Sequence, residues 1–201
     1  KEYSKEYRIF VPIDNIPENL KNAFISAEDK NFYNHYGIDP VGILRAFLKN
    51  TYYIFSNKRP EGASTITQQV AKNFLLSNEL SISRKAKEAL LAIKIDATLS
   101  KSRILELYLN QIYLGSGTYG VAAASNRYFK KSLEDLDLSE VSFLAALPKA
   151  PSRYNPKKNY DKSLSRRNWV LKRMFINNYI TEDDYYDFIK RPIKIAENKN
   201  K

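Results

Sequence analysis

The chain has 201 residues, 33 Lys and Arg against 22 Asp and Glu for a net charge of +11, and no cysteine. That length suits one domain, or one domain of two lobes, able to bury roughly 70% of its unfolded surface without staples. The absence of thiols excludes a disulfide framework and thiolate metal sites, and the basic excess points to an anionic partner: nucleic acid, a phosphorylated substrate or an acidic lipid surface.

No apolar run reaches the roughly 18 residues that a membrane span needs. The chain starts at Lys1 with no signal-peptide pattern, so an anchor, if there is one, is expected to lie ahead of it. Tyr3, Tyr7, Ile9 and Val11 sit in a β-prone opening that reads as a short strand or extended arm. Pro17 suits the first turn of a helix, and Leu20, Ala23, Phe24 and Ala27 repeat at helical spacing. Glu28 falls one turn past Phe24, at the edge of the apolar stripe. A partly desolvated carboxylate there suits proton transfer, and a solvated, frayed helix end is the plain alternative. Asp29, Lys30 and the single histidine, His35, follow before Gly37 closes the turn. Asp39-Pro40 then opens a new segment.

Residues 41–55 are rich in aromatics and large aliphatics with scattered cations. They read as a core helix or as an interfacial segment at lipid headgroups. Residues 56–63 read as a basic loop. Thr65 with Gln68 three residues on fits a capping box, so a helix begins there with Ile66, Val70 and Phe74 on its apolar face. Thr65, Gln68, Gln69 and Lys72 form a polar ridge beside that face, a natural oxyanion seat or a solvated amide surface. The spacing is not that of a nucleotide-binding phosphate loop.

Residues 82–99 read as a long helix, with Ala86, Ala89, Leu90, Ile93 and Ala97 on one side and Leu91 and Ile95 on another. A helix so broadly apolar is expected to be buried. Arg84, Lys85 and Glu88 project from its start, with a structural ion pair as the default reading. Ser100 is expected to cap the next helix, carrying Ile104, Leu105, Tyr108 and Ile112 up to Gly115. The stretch 115–120 reads as a tight turn, and Val121–Phe129 as a small-residue helix ending in Arg127, Lys130 and Lys131. Ser139 is expected to cap a further helix, with Leu138 and Phe143 as a hydrophobic staple and Pro148 as its stop. Residues 149–160 are irregular and basic. Two helices follow, near 162–177 and 182–190, with Trp169 and Met174 in or near the apolar face of the first. The tail, 197–201, is polar. The fold class is mainly α, without repeats or metal-ligand spacing.

Taken in order, these stretches resemble the peptidoglycan glycosyltransferases of glycosyltransferase family 51, found in class A penicillin-binding proteins and monofunctional transglycosylases. The match rests on Glu28-Asp29-Lys30-Asn31-Phe32 with His35 and Gly37, and on residues 62–69 with Lys72 and Asn73. It continues through Arg84-Lys85 with Glu88, through Lys101 with 104–110, then Arg127-Tyr128-Phe129 and Leu147-Pro148-Lys149-Ala150-Pro151. It covers about residues 20–160 of the chain.

The resemblance implies a lysozyme-like fold with a head lobe and a smaller membrane-facing jaw lobe at approximately 41–61. It implies inverting polymerisation of lipid II into glycan strands, with lipid II and the growing glycan chain as partners. Glu28 would be the general base. Glu88 would be the second acid, supporting the donor side through a metal ion or nearby Lys and Arg. Ser64, Thr65, Gln68, Gln69, Lys72, Arg84 and Lys85 would bind pyrophosphate and glycan. Asp29, Phe32, His35, Gly37, Asn73, Glu106 and Asn110 would be architectural. No cofactor is required by the sequence, with room for a divalent cation, Mg or Mn, at Glu88. A phosphoglycolipid inhibitor such as moenomycin would compete for the site. The expected location is the outer face of the bacterial cytoplasmic membrane, with the anchor and any transpeptidase domain outside this chain. The resemblance also moves residues 41–61 toward the interfacial reading. A lysozyme-like, glycan-cleaving hydrolase shares the fold but has little use for a cation-lined groove. A basic nucleic-acid-binding module lacks any recognised motif, so no nucleic-acid partner is expected.

Overall fold

A computed structural model describes residues 7–54, 62–74 and 81–196, with the side chains of 7, 52–54 and 74 excepted. The expectations for residues 1–6, 55–61, 75–80 and 197–201, including most of the basic loop and the polar tail, lie outside the described residues. The chain divides into two compact units, 1–30 with 106–201, and 31–105.

The first unit is built on α1 (Glu18–Glu28), α7 (Leu138–Ala146) and α8 (Tyr160–Ile176). Pro17 stands at the N-cap of α1, where its missing N–H costs no intrahelical bond. α1 packs on α7 and α8, and Leu20, Phe24 and Ile25 of α1, Val141, Phe143 and Leu144 of α7 and Val170, Leu171 and Met174 of α8 are all essentially inaccessible to solvent. α7 is apolar almost all round and is correspondingly central. Trp169, expected near the same apolar face as Met174, is 37% exposed.

The N-cap of α7 is Asp137 rather than Ser139. Asp137 accepts from the Glu140 amide while the Glu140 carboxylate accepts from the Asp137 amide, each at 2.9 Å. Ser139 falls two positions past the N-cap, inside the helix, and its hydroxyl instead accepts from the buried Arg167. The opening arm supplies β1 (Tyr7–Arg8), which pairs in parallel with β2 (Thr118–Tyr119), a partner the sequence did not reveal. α6 (Val121–Phe129) and α9 (Glu182–Lys190) complete the unit. The turn before α6 needs left-handed backbone at Gly115, Ser116, Gly117 and Gly120. A side chain on Gly120 would sit 2.6 Å from the carbonyl oxygen of Asn110.

The second unit contains α2 (Pro40–Ile54), α3 (Ile66–Phe74) and α4 (Ile82–Thr98), and α5 (Lys101–Gln111) crosses its boundary. α5 ends four residues short of the expected Gly115. The Ile112 carbonyl accepts from the Gly120 amide, so the backbone past Gln111 closes a loop rather than another helical turn.

The expected burial of the helix at 82–99 is overturned. Among the described residues of α4 only Glu88 and Ala92 are buried, while Ile82, Leu90 and Ile93 are 92%, 69% and 40% exposed. α4 packs along α3, and among the described residues much of the apolar girth evident from its periodicity stays exposed. α2 behaves likewise, with Val41, Leu44, Phe47 and Leu48 each more than half exposed beside the cations Arg45 and Lys49, and only Gly42 and Ala46 buried among its described residues. The core reading of this segment therefore fails over 41–51. The side chains of Tyr52, Tyr53, Ile54 and Phe55 lie outside the described residues. No helix among the described residues is long and apolar enough to cross a membrane.

Candidate active site

Glu28 is the last residue of α1 and is half-buried, and Asp29 leaves the helix in an extended turn with its side chain buried. Phe24, one turn earlier, meets the edge of Tyr108 on α5 at 6.0 Å between ring centroids. The Tyr108 hydroxyl is buried without a hydrogen-bond partner, and burial, then the charges of Glu28 and Asp29, push it well above the ordinary phenol range. Arg166 of α8 also lies within electrostatic reach of Glu28. The end of α1 is thus a place where two carboxylates, a phenol and a guanidinium act on one another.

Glu106 and Asn110, on α5, hold the opening arm. The Asn110 side chain accepts from the Val11 amide at 2.8 Å and donates to the Val11 carbonyl at 2.9 Å, and Glu106 accepts from Ile13 at 2.8 Å. Their architectural task follows from those bonds.

The second unit carries a different cluster. Ser81 caps α4 by accepting from the Arg84 amide at 3.1 Å, which sets the register of its first turns. Glu88 is 2% exposed and stands between Lys85, with which it makes a close ion pair, and Arg84 at 3.8 Å. The half-exposed Lys85 ammonium also donates to the Ser64 hydroxyl at 3.0 Å. One acid shared by two cations leaves a local excess of one positive charge, held at fixed positions. Among the described residues no group of three or more His, Cys, Asp or Glu could hold a metal ion. Glu88 faces cations rather than further carboxylate or imidazole donors, so its surroundings suit an anion seat and do not suit Mg or Mn.

Around this cluster the capping box forms as its spacing predicts. The Gln68 amide donates to Thr65 Oγ1 and the Thr65 amide to Gln68 Oε1, both at 3.0 Å. Thr65 Oγ1 also donates to the Gly37 carbonyl at 2.6 Å. Both residues are buried, so these polar atoms start α3. Gln69 is half-buried, while Lys72 and Asn73 are exposed along α3. Gly37 adopts φ +82°, and a methyl group there would stand 2.5 Å from the Ala92 carbonyl oxygen on α4. Phe32 is fully buried, edge-on to His35 at 6.3 Å and beneath the Lys101 ammonium at 4.9 Å. Lys101 also donates to the His35 carbonyl at 2.5 Å and pairs with Asp96 at 2.7 Å.

Four residues escaped the sequence reading. Asp39 caps α2, accepting from the Gly42 amide and from Asn31, each at 2.9 Å. Burial opposes its ionisation, but those two donors and the nearby His35 and Arg45 charges hold its carboxyl below the ordinary range. Asp39-Pro40 carried the cap signal. Asp96 joins Thr67 on α3 to Lys101. Arg166 and Arg167 are buried arginines on α8, and an Arg-Arg pair in a basic helix carries no mark of burial.

A transglycosylase family model matches residues 1–175 of the chain. The chain is 55% identical over 197 residues to penicillin-binding protein 1A of Rickettsia typhi, covering 98% of this chain and 25% of that protein. It is 52% identical to penicillin-binding protein 1A of Aquifex aeolicus, with 96% and 26% covered, and 50% identical to that of Escherichia coli, with 92% and 21% covered. A crystal structure of penicillin-binding protein 1A from Haemophilus influenzae matches with a TM-score of 0.60 at 30% identity, over 99% of this chain and 20% of that one. The chain therefore spans about a quarter of the length of the relatives it matches.

Proposed function

Because this chain belongs to the transglycosylase family, we propose that it polymerises lipid II into glycan strands as a peptidoglycan glycosyltransferase of the mainly helical, lysozyme-like class. In this reading the first unit is the head and the second includes the jaw. Glu28 accepts the proton of an acceptor sugar hydroxyl as its oxygen attacks the donor's anomeric carbon. The bond from that carbon to the diphosphate oxygen breaks on the opposite side, giving inversion, and the electron pair departs with the diphosphate. A diphosphate is already a good anionic leaving group and requires cations more than an acid. Lys85 and Arg84 supply them, with Ser64 on the lysine and with Gln69 and Lys72 contributing from α3. Glu88 is the anchor that fixes both cations, and no metal is needed for that task.

The observation that carries the reading is the buried Glu88 carboxylate holding Lys85 and Arg84, with Ser64 on the lysine. A glycan-cleaving hydrolase would need a proton donor for an alkoxide and would gain nothing from that arrangement. The exposed apolar side chains of α2, interspersed with Arg45 and Lys49, suit a helix lying at lipid headgroups. This agrees with a lipid-linked substrate and with work at the outer face of the cytoplasmic membrane. A phosphoglycolipid of the moenomycin type would compete for the cations.

The test is turnover of a fluorescent lipid II analogue by the wild type and Glu28→Gln. Polymer should form with the wild type, and its rate should fall about 10²–10⁴-fold in the variant, with lipid-substrate binding retained. Polymerisation at the wild-type rate would remove Glu28 as base. Cleavage of preformed glycan without polymer synthesis would establish the hydrolase.

A further inference from the structure

The irregular basic segment after α7 and one side of α8 line an open cavity of about 470 Å³. Asp161, Lys162, Arg166 and Trp169 stand at i, i+1, i+5 and i+8, which gathers them on one side of the helix. Lys149 and Arg153 line it from the segment before α8. That segment is a formed turn, since the amides of Arg153 and Tyr154 both donate to the Ala150 carbonyl at 3.0 Å. Four cations against one carboxylate leave the wall an excess of three positive charges. Among the described residues Arg153, Lys162 and Arg166 make no side-chain hydrogen bond or ion pair.

Arg166 is the member that water cannot serve. It is 9% exposed, its Nε is buried with no hydrogen-bond partner, and its guanidinium lies 3.8 Å over the Trp169 ring. The adjacent Arg167 is buried as well, but Ser139, Asn168 and the Arg191 carbonyl take its donors. Burial pulls the Arg166 guanidinium below its ordinary range, and the charges of Glu28 and Tyr154 offset this only in part. A buried cation short of acceptors is costly, and an anion in the cavity would relieve that cost.

The wall also says which anion. A guanidinium fork suits the planar oxygens of a carboxylate. A phosphate would meet the Asp161 carboxylate as like charge, whereas an amide N–H would use it as an acceptor. Trp169, 37% exposed, and Tyr154 offer ring faces for packing. Carboxylate, N–H donors and small packing groups together are those of a peptide.

We propose that this cavity is a second binding site, which holds a carboxylate of the peptide carried by the glycan substrate between Arg153, Lys162 and Arg166. The proposal deepens, and rests on, the reading of the chain as a peptidoglycan glycosyltransferase, whose substrate joins a peptide to its sugars. It is separate from the Lys85–Arg84 seat, which belongs to the second unit.

Trp169 is the only tryptophan of the chain, so its emission reports this cavity directly. The experiment titrates the protein with a short acidic peptide, with the same peptide amidated at its carboxylates, and with inorganic phosphate, following emission and heat. The acid form should bind saturably, and amidation, Arg153→Gln or Lys162→Gln should each weaken it by about tenfold. Equal binding of acid and amide forms, phosphate binding as tightly as the peptide, or no heat and no emission change would each overturn the proposal. In turnover, Lys162→Gln should raise KM for a peptide-bearing lipid II analogue by about tenfold, with kcat changed by less than about twofold. For the analogue amidated on its peptide, KM should be the same in wild type and variant. An equal rise for both analogues would place Lys162 on the diphosphate or sugars and overturn the proposal, as would an unmoved KM for both. Lys162 is exposed, so this variant decides alone should Arg153→Gln fail to fold. The premise is read separately: a wild type that polymerises neither analogue removes the glycosyltransferase reading, while the titration still decides the cavity.

Discussion

α1, α7 and α8 of the first unit bury their large apolar side chains against one another, while α2 and α4 of the second leave many of theirs in contact with solvent. Phe24 and Phe143 are fully inaccessible, whereas Phe47 is 64% and Leu90 69% exposed. The second unit holds its shape by other means: the Thr65–Gln68 cap, the Asp39 cap, the Gly37–Ala92 contact and the Lys101–Asp96 pair. One unit is dominated by packing, and the other leaves apolar surface exposed among its described residues, which suits the lipid contact proposed above. Exposed apolar surface of that extent is what the proposed contact with lipid would use.

This contrast can be broken at several levels. Phe24→Ala in the first unit should cost about 4 kcal/mol in denaturant unfolding, since it deletes a fully buried aromatic between α1 and α5. Gly37→Ala in the second should cost about 3 kcal/mol through left-handed strain and overlap with the Ala92 carbonyl. A loss as small as that of a surface substitution would mean that the turn and α4 separate easily.

Asp39→Ala should cost about 1 kcal/mol at neutral pH by uncapping α2. The sign of its pH dependence follows from the depressed carboxyl. The wild-type advantage is full above about pH 4, the unfolded value, and fades as pH falls through the lower folded one. Urea unfolding of both proteins at several acidic pH values checks this. A gap constant across that range would show that the cap works without charge. Phe47→Ser and Leu44→Ser should change stability by no more than about 0.5 kcal/mol. They should weaken binding to anionic lipid vesicles, measured by co-sedimentation. A stability loss of core size would contradict the contrast itself.

The sequence was most legible where the information is local. The helix at α1, the cap at Thr65 and the glycine turn at 115–120 depend on residues within a few positions of one another, and all three form as expected. It misled where two local signals compete or where the answer is tertiary. Ser139 was expected to cap α7, but Asp137, two residues earlier, forms the reciprocal box with Glu140 and caps it instead. The periodicity of α4 showed which residues share a face but not what that face meets. Of the site, the cations and acids of the second unit were readable as a pattern, whereas the burial of Arg166 exists only once α8 is packed.

The hydroxyl of Thr65 closes a mechanical circuit. From Lys85 the path runs to Ser64, to its neighbour Thr65, across to the Gly37 carbonyl, against the Ala92 backbone, and back along α4 to Lys85. A closed ring of short contacts resists shear that a single tether would allow. The ammonium is therefore tethered at two points, and on the proposed function an incoming oxyanion would meet a donor already held in place. Less freedom would then be lost on binding, so on that reading stiffness would add to affinity alongside charge.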